Sequence, residues 1–263
     1  MKTWSEGVLP HRSDEHGVHR WTLNDPARFN VLSEAMLGAL EQATRVVATD
    51  DAARVVVIDA QGKAFCAGHD LKAMAQVTDV AQHQSLFKHC TRVMLGLMQL
   101  NVPVIAQVHA IATAAGCQLV AQCDLAVAAS NARFGVNGID IGLFCSTPSV
   151  ALTRNMGIKS AMEMLVTGEF ITAAQAQARG LVNRVVEPEQ LGAEVDALVQ
   201  AILRKPKEAI AMGKALVYQQ REAPMAAAYQ MAGQVMAVNM MHPVAQEGAQ
   251  AFIDKRAPRW PTP

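Results

Sequence analysis

The nine residues AFCAGHDLK, numbers 64–72, decide the fold class of this chain. They follow an apolar run that consists of Val55, Val56, Val57 and Ile58, and they lead into a short predicted helix that starts at residue 71. Such a run is typical of a strand that is covered on both faces. The same order returns further on, where a predicted strand at 103–108 precedes small residues and a helix at 114–122. Strands that alternate with helices in this way predict an α/β protein built from stacked βαβ units.

The overall composition restricts the kind of partner that the protein can have. The 263 residues include 23 Lys and Arg and 23 Asp and Glu, so the formal net charge is zero. A nucleic-acid binder needs a basic face, so we expect no nucleic-acid partner. Hydrophobic residues make up 51% of the chain and charged residues only 17%, which indicates apolar surface at a subunit interface or in a ligand cleft.

Residues 1–20 contain Glu6, Asp14 and Glu15 and have no apolar stretch behind positive charge. They match neither a signal peptide nor a transit peptide, so we expect a cytoplasmic protein. The five cysteines form no CxxC pair and are predicted to be free, buried thiols. The histidines lack ligand spacing, which predicts no metal site. Residues 93–123 carry no charged residue, but polar side chains are spread through them, so we expect a buried segment and no membrane span.

Both strand-to-helix segments bring small residues to a helix N-terminus, where backbone N–H groups lack partners and the helix dipole is positive. Two such N–H groups from separate loops would converge on one carbonyl oxygen and stabilise the negative charge that develops on it. Tight turns also require small residues, so the pattern by itself has a purely structural explanation as well.

Several blocks of the sequence, in order, resemble the enoyl-CoA hydratase/isomerase (crotonase) superfamily. Residues 64–72 resemble its AFxAGxDLK stretch, and residues 24–33 are similar to its N-x-P-x-x-x-N-x-L-S segment. Residues 109–130 match its block of small residues that ends in Cys-Asp. Further matches are Phe134-Gly135 with Gly142, residues 167–168, residues 176–186 and the F-x-x-K-R motif at 252–256. The similarity therefore runs from about residue 18 to residue 256.

The resemblance implies a crotonase-like (ClpP/crotonase) α/β fold. Residues 1–200 would form a spiral core of ββα units, and residues 201–263 a C-terminal helical oligomerisation region. It also implies a homotrimer or a dimer of trimers with the late helices at the interface. The Met and Ala richness of residues 225–241 fits such an interface, although packing on the chain's own core produces the same periodicity.

The family's oxyanion-hole amides, carried over by position, fall on Ala67 and Ala115. They would bind the carbonyl of an acyl-CoA thioester and stabilise an enolate-like intermediate. The resemblance also implies that residues 67–70, namely Ala67, Gly68, His69 and Asp70, line the thioester region together with Ala115. Arg28 and Lys255 would contact the CoA phosphates, and Phe252 would border the adenine. No cofactor is expected beyond the coenzyme A that is part of the substrate.

The chain departs from the family at the two glutamates that hydratases use to hold water and move protons. Gln118 stands at the first position and Gly138 at the second. The amide of Gln118 cannot accept and return a proton near neutral pH. Asp140 is a candidate replacement, since residues i and i+2 of a strand share a face. An Asp in a turn that bonds backbone amides is the alternative.

The sequence therefore favours an acyl-CoA-binding protein related to enoyl-CoA hydratases, with lyase activity of the hydratase type expected but open. Decarboxylase, isomerase and thioesterase chemistry are alternatives, and so is a non-catalytic acyl-CoA-binding paralogue. Of these reactions, decarboxylation needs the least side-chain help, because the loss of CO₂ generates the enolate without a base.

Overall fold

The computed structural model describes residues 1–260, and the predicted alternation of strands and helices is present in it. The strands are β1 (Lys2–Ser5), β2 (His11–Ser13), β3 (Val18–Leu23), β4 (Val55–Ala60), β5 (Ala64–Cys66), β6 (Val104–Val108), β7 (Ile111–Thr113), β8 (Leu125–Ala129), β9 (Arg133–Gly135), β10 (Ile171–Thr172) and β11 (Arg184–Val186). The helices are α1 (Glu34–Ala48), α2 (Leu71–Met74), α3 (Val80–Gln99), α4 (Ala115–Gln122), α5 (Ser146–Asn155), α6 (Ile158–Thr167), α7 (Ala173–Ala178), α8 (Leu191–Leu203), α9 (Lys207–Gln220), α10 (Met225–Met241) and α11 (Pro243–Ile253).

The strands form two sheets that the chain visits in turn. The large sheet has the order β1-β2-β3-β4-β6-β8-β11, and the small sheet has the order β10-β9-β7-β5. Three successive repeats place their first strand (β4, β6, β8) in the large sheet and their second strand (β5, β7, β9) in the small one. Helices follow each second strand, and the repeated strands pair in parallel within each sheet. This arrangement is a spiral of ββα units.

Strand β4 lies between two apolar layers, as its unbroken apolar run predicts. Val56 and Ile58 belong to the main core, whereas Val55 and Val57 pack on the other face of the large sheet with apolar side chains of α8. All four residues are fully buried. The first predicted helix is confirmed too, because Ser33 caps α1 by accepting a hydrogen bond from the Met36 amide.

Helix α9 is fastened to the core by a buried charge. The Lys214 ammonium donates to the Asp124 carboxylate at 2.7 Å and to the carbonyls of Leu97 and Val102 at 3.0 and 2.9 Å. Tyr218 donates to the other Asp124 oxygen at 2.7 Å. Desolvation lowers the pKa of Lys214, and the neighbouring Asp124 carboxylate opposes that shift. The cluster ties the late helices to the spiral.

The late part of the chain is helical, as expected. The predicted boundary between residues 200 and 201 falls inside α8, and residues 261–263 of the predicted helical region lie outside the described residues. Among residues 1–260, no helix combines the length and the apolar character that crossing a bilayer requires.

Candidate functional site

A cavity of about 300 Å³ lies where the two small-residue loops meet. Its walls come from these loops, from α2 and α3, and from residues 137–148. Most of the surface is apolar, with Leu71, Met74 and Phe87 on one side and Ile141 and Phe144 contributed by the later segment. The described residues that line it include no Lys, Arg, Asp or Glu. The cavity therefore suits an uncharged, largely apolar group.

The two loops touch at Gly68. Its backbone has φ +87°, and a Cβ at this position would lie 2.9 Å from the Ala114 Cβ and 3.1 Å from the Ala115 nitrogen. A Cβ at Gly116 would overlap the Cys66 carbonyl oxygen. Only glycine allows both the left-handed conformation and this close approach without strain. The contact brings the amides that follow Gly68 close to the N-terminus of α4.

The backbone N–H groups of the first loop have different partners. Ala67 donates its N–H to the Phe29 carbonyl at 3.0 Å. The Gly68 N–H faces the Cys66 sulfur. The N–H groups of His69 and Ala115 have no hydrogen-bond partner within residues 1–260. The prediction of Ala67 as an oxyanion donor is therefore corrected, because its N–H is occupied, and His69 is the residue of this loop whose amide stays available.

Residues 24–33 hold the first loop in place through hydrogen bonds. Leu32 donates its amide to the Gly68 carbonyl at 2.7 Å. The buried Asn30 side chain donates to the carbonyls of Gln61 and Ala64 at 2.8 and 2.9 Å. The amide of His69 thus sits on a loop whose neighbouring backbone groups are already engaged.

The second loop stores backbone strain next to the cavity. Ala114, which precedes α4, has φ 50° and ψ −122°, a conformation that costs a non-glycine residue on the order of 1–3 kcal/mol. Its own N–H donates to the Gly135 carbonyl at 2.9 Å. This conformation turns the chain sharply so that Ala115 begins the helix at the cavity wall. Nothing in the residue type announces it, since alanine rarely adopts positive φ.

Gln118 and Gly138, the two positions at which the resemblance implies glutamates, differ in their surroundings. Gln118 is 5% exposed and does not line the cavity, and its Oε1 accepts no hydrogen bond from residues 1–260. Gly138 does line the cavity, but a Cβ there would overlap the Leu143 carbonyl oxygen and lie 2.9 Å from the Cys145 sulfur. The space that a side chain at residue 138 would need is therefore filled by the chain itself.

Asp140 is not part of the cavity, so the prediction of this residue as a replacement acid is wrong. The residue is exposed, and its carboxylate lies against Gly168, at the end of α6. The expectation assumed a strand, in which residues two apart share a face. Residues Asn137–Ile141 instead form a 3₁₀ turn, whose side chains two positions apart point in different directions.

The His69 ring lies at the cavity wall in its neutral form. Its Nδ1 is 3.4 Å from the Leu32 carbonyl oxygen, and its ring meets Phe87 edge to face at 5.6 Å between centroids. Burial lowers the pKa of this imidazole below its usual value. The Nε2 atom is buried and has no partner within the described residues. The ring therefore supplies no positive charge to the cavity at neutral pH.

Of the residues predicted to contact the substrate, Ala67, His69 and Ala115 line the cavity, whereas the others do not. Arg28 pairs with Asp25 at 2.6 Å and with Asp70 at 3.3 Å. Asp70 also caps α2 by accepting from the amides of Lys72 and Ala73. Phe252 is 85% exposed near the end of α11, and Lys255 follows that helix with φ 54°. The CoA contacts of these residues stay predictions.

One polar pair in the cavity was not found from the sequence. The Thr113 hydroxyl donates to the Asn137 side-chain oxygen at 2.6 Å, and both residues line the cavity. They are 24 positions apart in the chain, and no local pattern links them. The five cysteines are free and buried as predicted, and burial raises the pKa of Cys145, the one in the cavity wall, which keeps its thiol protonated.

The fold and the site together define a ββα-spiral protein with two unpaired backbone amides beside an apolar cavity. The sequence model of the enoyl-CoA hydratase/isomerase family matches residues 13–263, and the chain belongs to this family. The crotonase fold expected from the resemblance is confirmed by solved structures. A crystal structure titled enoyl-CoA hydratase from Mycobacterium smegmatis has 57% identity and a TM-score of 0.96, covering 98% of this chain and 100% of that one.

Two further relatives are named enoyl-CoA hydratase domain-containing protein 3. The Xenopus laevis protein is 42% identical over 94% of this chain and 84% of its own length. The crystal structure of the human protein is 38% identical with a TM-score of 0.93, covering 97% of this chain and 100% of that one. The names support a function related to enoyl-CoA hydratases.

The comparisons correct the expected location. The relatives from Xenopus laevis and Mus musculus, 42% and 41% identical, are both named mitochondrial, which contradicts the cytoplasmic location predicted from the sequence. That prediction rested on the composition of residues 1–20 alone.

Proposed function

We propose that this protein binds acyl-CoA thioesters and stabilises a thioester enolate at the backbone N–H groups of His69 and Ala115. The observation that carries the proposal is the contact at Gly68, which packs against the Ala114–Ala115 turn and brings the two unpaired amides together beside an apolar cavity. Donors that are fixed before the reaction stabilise developing charge without reorganising, and removing one such donor typically costs about 10²–10³ in kcat.

Hydration by two carboxylates is not the chemistry that this site supports. No carboxylate lines the cavity in residues 1–260, Gln118 carries an amide, and Gly138 has no room for a side chain. General acid–base catalysis typically contributes about 10²–10⁴-fold, and a hydratase would lose that contribution here. Decarboxylation of an acyl-CoA fits better, because the departing CO₂ leaves its electron pair on the α carbon as the enolate and takes the carboxylate out of a cavity that has no cation to pair with it.

A second candidate is a protein that binds acyl-CoA without turning it over. The absence of a charged residue from the described cavity lining favours it, since binding requires only the cavity and the amides. In both cases Arg28 and Lys255 would provide the positive charge for the CoA phosphates, and Phe252 would border the adenine. Both cations are at the surface, where an exchange of ion-pair partners costs little.

The assembly is proposed as a homotrimer or a dimer of trimers. Helix α10 exposes Met225, Tyr229, Met236 and Met241, each at least 70% accessible in the single chain. Apolar side chains at this density are typical of a surface that another subunit covers. Light scattering of the purified protein measures the mass directly, and a monomer would contradict this part of the proposal.

The decisive experiment combines binding with turnover. We expect butyryl-CoA to bind in calorimetry, crotonyl-CoA hydration to stay at background, and malonyl-CoA or a methyl-substituted malonyl-CoA to release CO₂. Binding without any product from these thioesters would favour the non-catalytic protein. The absence of binding would refute the proposed function, and efficient hydration of crotonyl-CoA would refute the assignment of enolate chemistry without carboxylates.

A further inference from the structure

A hydrogen-bonded pair of neutral side chains interrupts the apolar wall of the cavity. Thr113 ends β7, directly before the strained Ala114 turn, and Asn137 begins the 3₁₀ turn that contains Gly138. The Thr113 hydroxyl donates to the Asn137 Oδ1 at 2.6 Å. The pair thus joins the loop that carries the Ala115 amide to the segment that faces it across the cavity.

The hydrogen bond sets the orientation of the Asn137 amide. Because Oδ1 accepts from Thr113, the NH₂ group lies on the opposite side of the side chain and has two N–H bonds to donate. Within residues 1–260 this nitrogen has no hydrogen-bond partner, and it is not among the buried unpaired atoms. The cavity therefore contains a neutral donor whose direction is fixed and whose hydrogens are unused.

The surroundings determine which kind of acceptor this donor suits. The described lining has no cation, so a carboxylate on the acyl group would lose its hydration without gaining an opposite charge and would bind weakly, a cost that only its departure as CO₂ would relieve. An uncharged hydroxyl or keto oxygen has a much smaller desolvation cost, and a single N–H donor compensates it. We propose that Asn137, positioned by Thr113, selects acyl-CoA thioesters whose acyl chain carries an uncharged oxygen beyond the thioester carbonyl.

This inference rests on the proposed function, since it concerns the acyl group of a thioester that the cavity holds. Three thioesters with a four-carbon acyl chain test it. Butyryl-CoA has no oxygen beyond the thioester carbonyl, 3-hydroxybutyryl-CoA has a neutral hydroxyl, and succinyl-CoA has a carboxylate. Their dissociation constants, measured by calorimetry, report the preference for the oxygen separately from binding of the CoA portion.

For the wild-type protein we expect 3-hydroxybutyryl-CoA to bind about threefold to tenfold more tightly than butyryl-CoA, the gain from one net hydrogen bond, and succinyl-CoA to bind most weakly. In Asn137→Leu, which keeps the side-chain size, this ratio should fall to about one. Thr113→Val should lower the ratio partially, because Asn137 keeps its donor but loses its orientation. The control is Thr91→Val, whose exposed hydroxyl only bonds the Phe87 carbonyl on the surface of α3 and should leave the ratio unchanged.

Equal binding of butyryl-CoA and 3-hydroxybutyryl-CoA by the wild-type protein would overturn the inference, as would a ratio that survives Asn137→Leu in a folded variant. Tighter binding of succinyl-CoA would overturn the choice of an uncharged oxygen. If none of the three thioesters binds, the proposed function fails and this inference fails with it, a result that differs from binding without preference.

Discussion

Gly68→Ala tests whether the contact between the two loops creates the site. Alanine at φ +87° is strained, and its Cβ would lie 2.9 Å from the Ala114 Cβ and 3.1 Å from the Ala115 nitrogen. Gly7→Ala is the matched control, because Gly7 has φ +83° and nothing within 4 Å of the added Cβ. Left-handed backbone costs an alanine roughly 1–2 kcal/mol, so both variants should lose about that much stability. Only Gly68→Ala should also displace the Ala115 amide.

The consequence of that displacement follows from the geometry of the donors. Contacts of 2.9 and 3.1 Å force the Ala114–Ala115 turn to move by a few tenths of an ångström. Hydrogen bonds to a charged group are worth about 1.5–3 kcal/mol, and one pKa unit corresponds to 1.36 kcal/mol. If one of the two donors is lost for the enolate, the pKa at which a bound thioester enolises should rise by about one to two units.

Acetoacetyl-CoA makes this pKa measurable without turnover, because its enolate absorbs in the near ultraviolet. The enolate fraction of the bound ligand is titrated against pH for the wild-type protein and both variants, with thermal unfolding as a check that each is folded. We expect a lower enolisation pKa in the wild-type protein and in Gly7→Ala than in Gly68→Ala. The same pKa in Gly68→Ala and the wild-type protein would refute the argument that the packing of Gly68 sets the donor geometry.

Three further predictions concern stability and the missing acid. Lys214→Met leaves the buried Asp124 carboxylate without its cation and should lower the free energy of unfolding, measured with urea, by about 3–5 kcal/mol. A decrease of less than about 1 kcal/mol would contradict this prediction. Gly138→Glu should lower the melting temperature and should not produce crotonyl-CoA hydration, because the added Cβ overlaps the Leu143 carbonyl oxygen. A folded Gly138→Glu variant that hydrates crotonyl-CoA would contradict this prediction. The pKa of His11 is lowered to about 4, mainly because the imidazole is buried and to a smaller extent because His19 lies close to it. The unfolded imidazole titrates near 6.5, so between pH 4 and pH 6.5 the unfolded state binds more protons than the folded state. The midpoint of urea unfolding should therefore fall as the pH drops from 6.5 to 4, and it should stay constant above pH 7.

The elements that carry the site are predictable from local pattern. The apolar run of β4, the cap of α1 at Ser33 and the small residues before α4 each depend on residues close together in the chain, and the structure has all three. Ala115 also lines the cavity, and its role as an oxyanion donor stays a prediction. Such features follow from propensity and periodicity, which act over a few residues.

The features that the sequence did not reveal depend on contacts between distant segments. The Phe29 carbonyl, 38 positions before Ala67, accepts a hydrogen bond from the Ala67 N–H. This contact leaves the His69 N–H, and not the Ala67 N–H, unpaired within residues 1–260. The Thr113–Asn137 bond likewise joins two separate repeats of the spiral. The strain at Ala114 has no signature in the residue type, and the residue packs close to Gly68, which is distant from it in the chain.

The surroundings of Gly138 leave no space for a carboxylate at this position. The Leu143 carbonyl and the Cys145 thiol occupy that space, and the Gly138 N–H faces the Cys145 sulfur. A side chain at residue 138 therefore requires the backbone of residues 143–145 to move as well. The same segment contributes Leu143, Phe144 and Cys145 to the cavity wall, so the lack of space at Gly138 and the apolar character of the cavity have one structural origin.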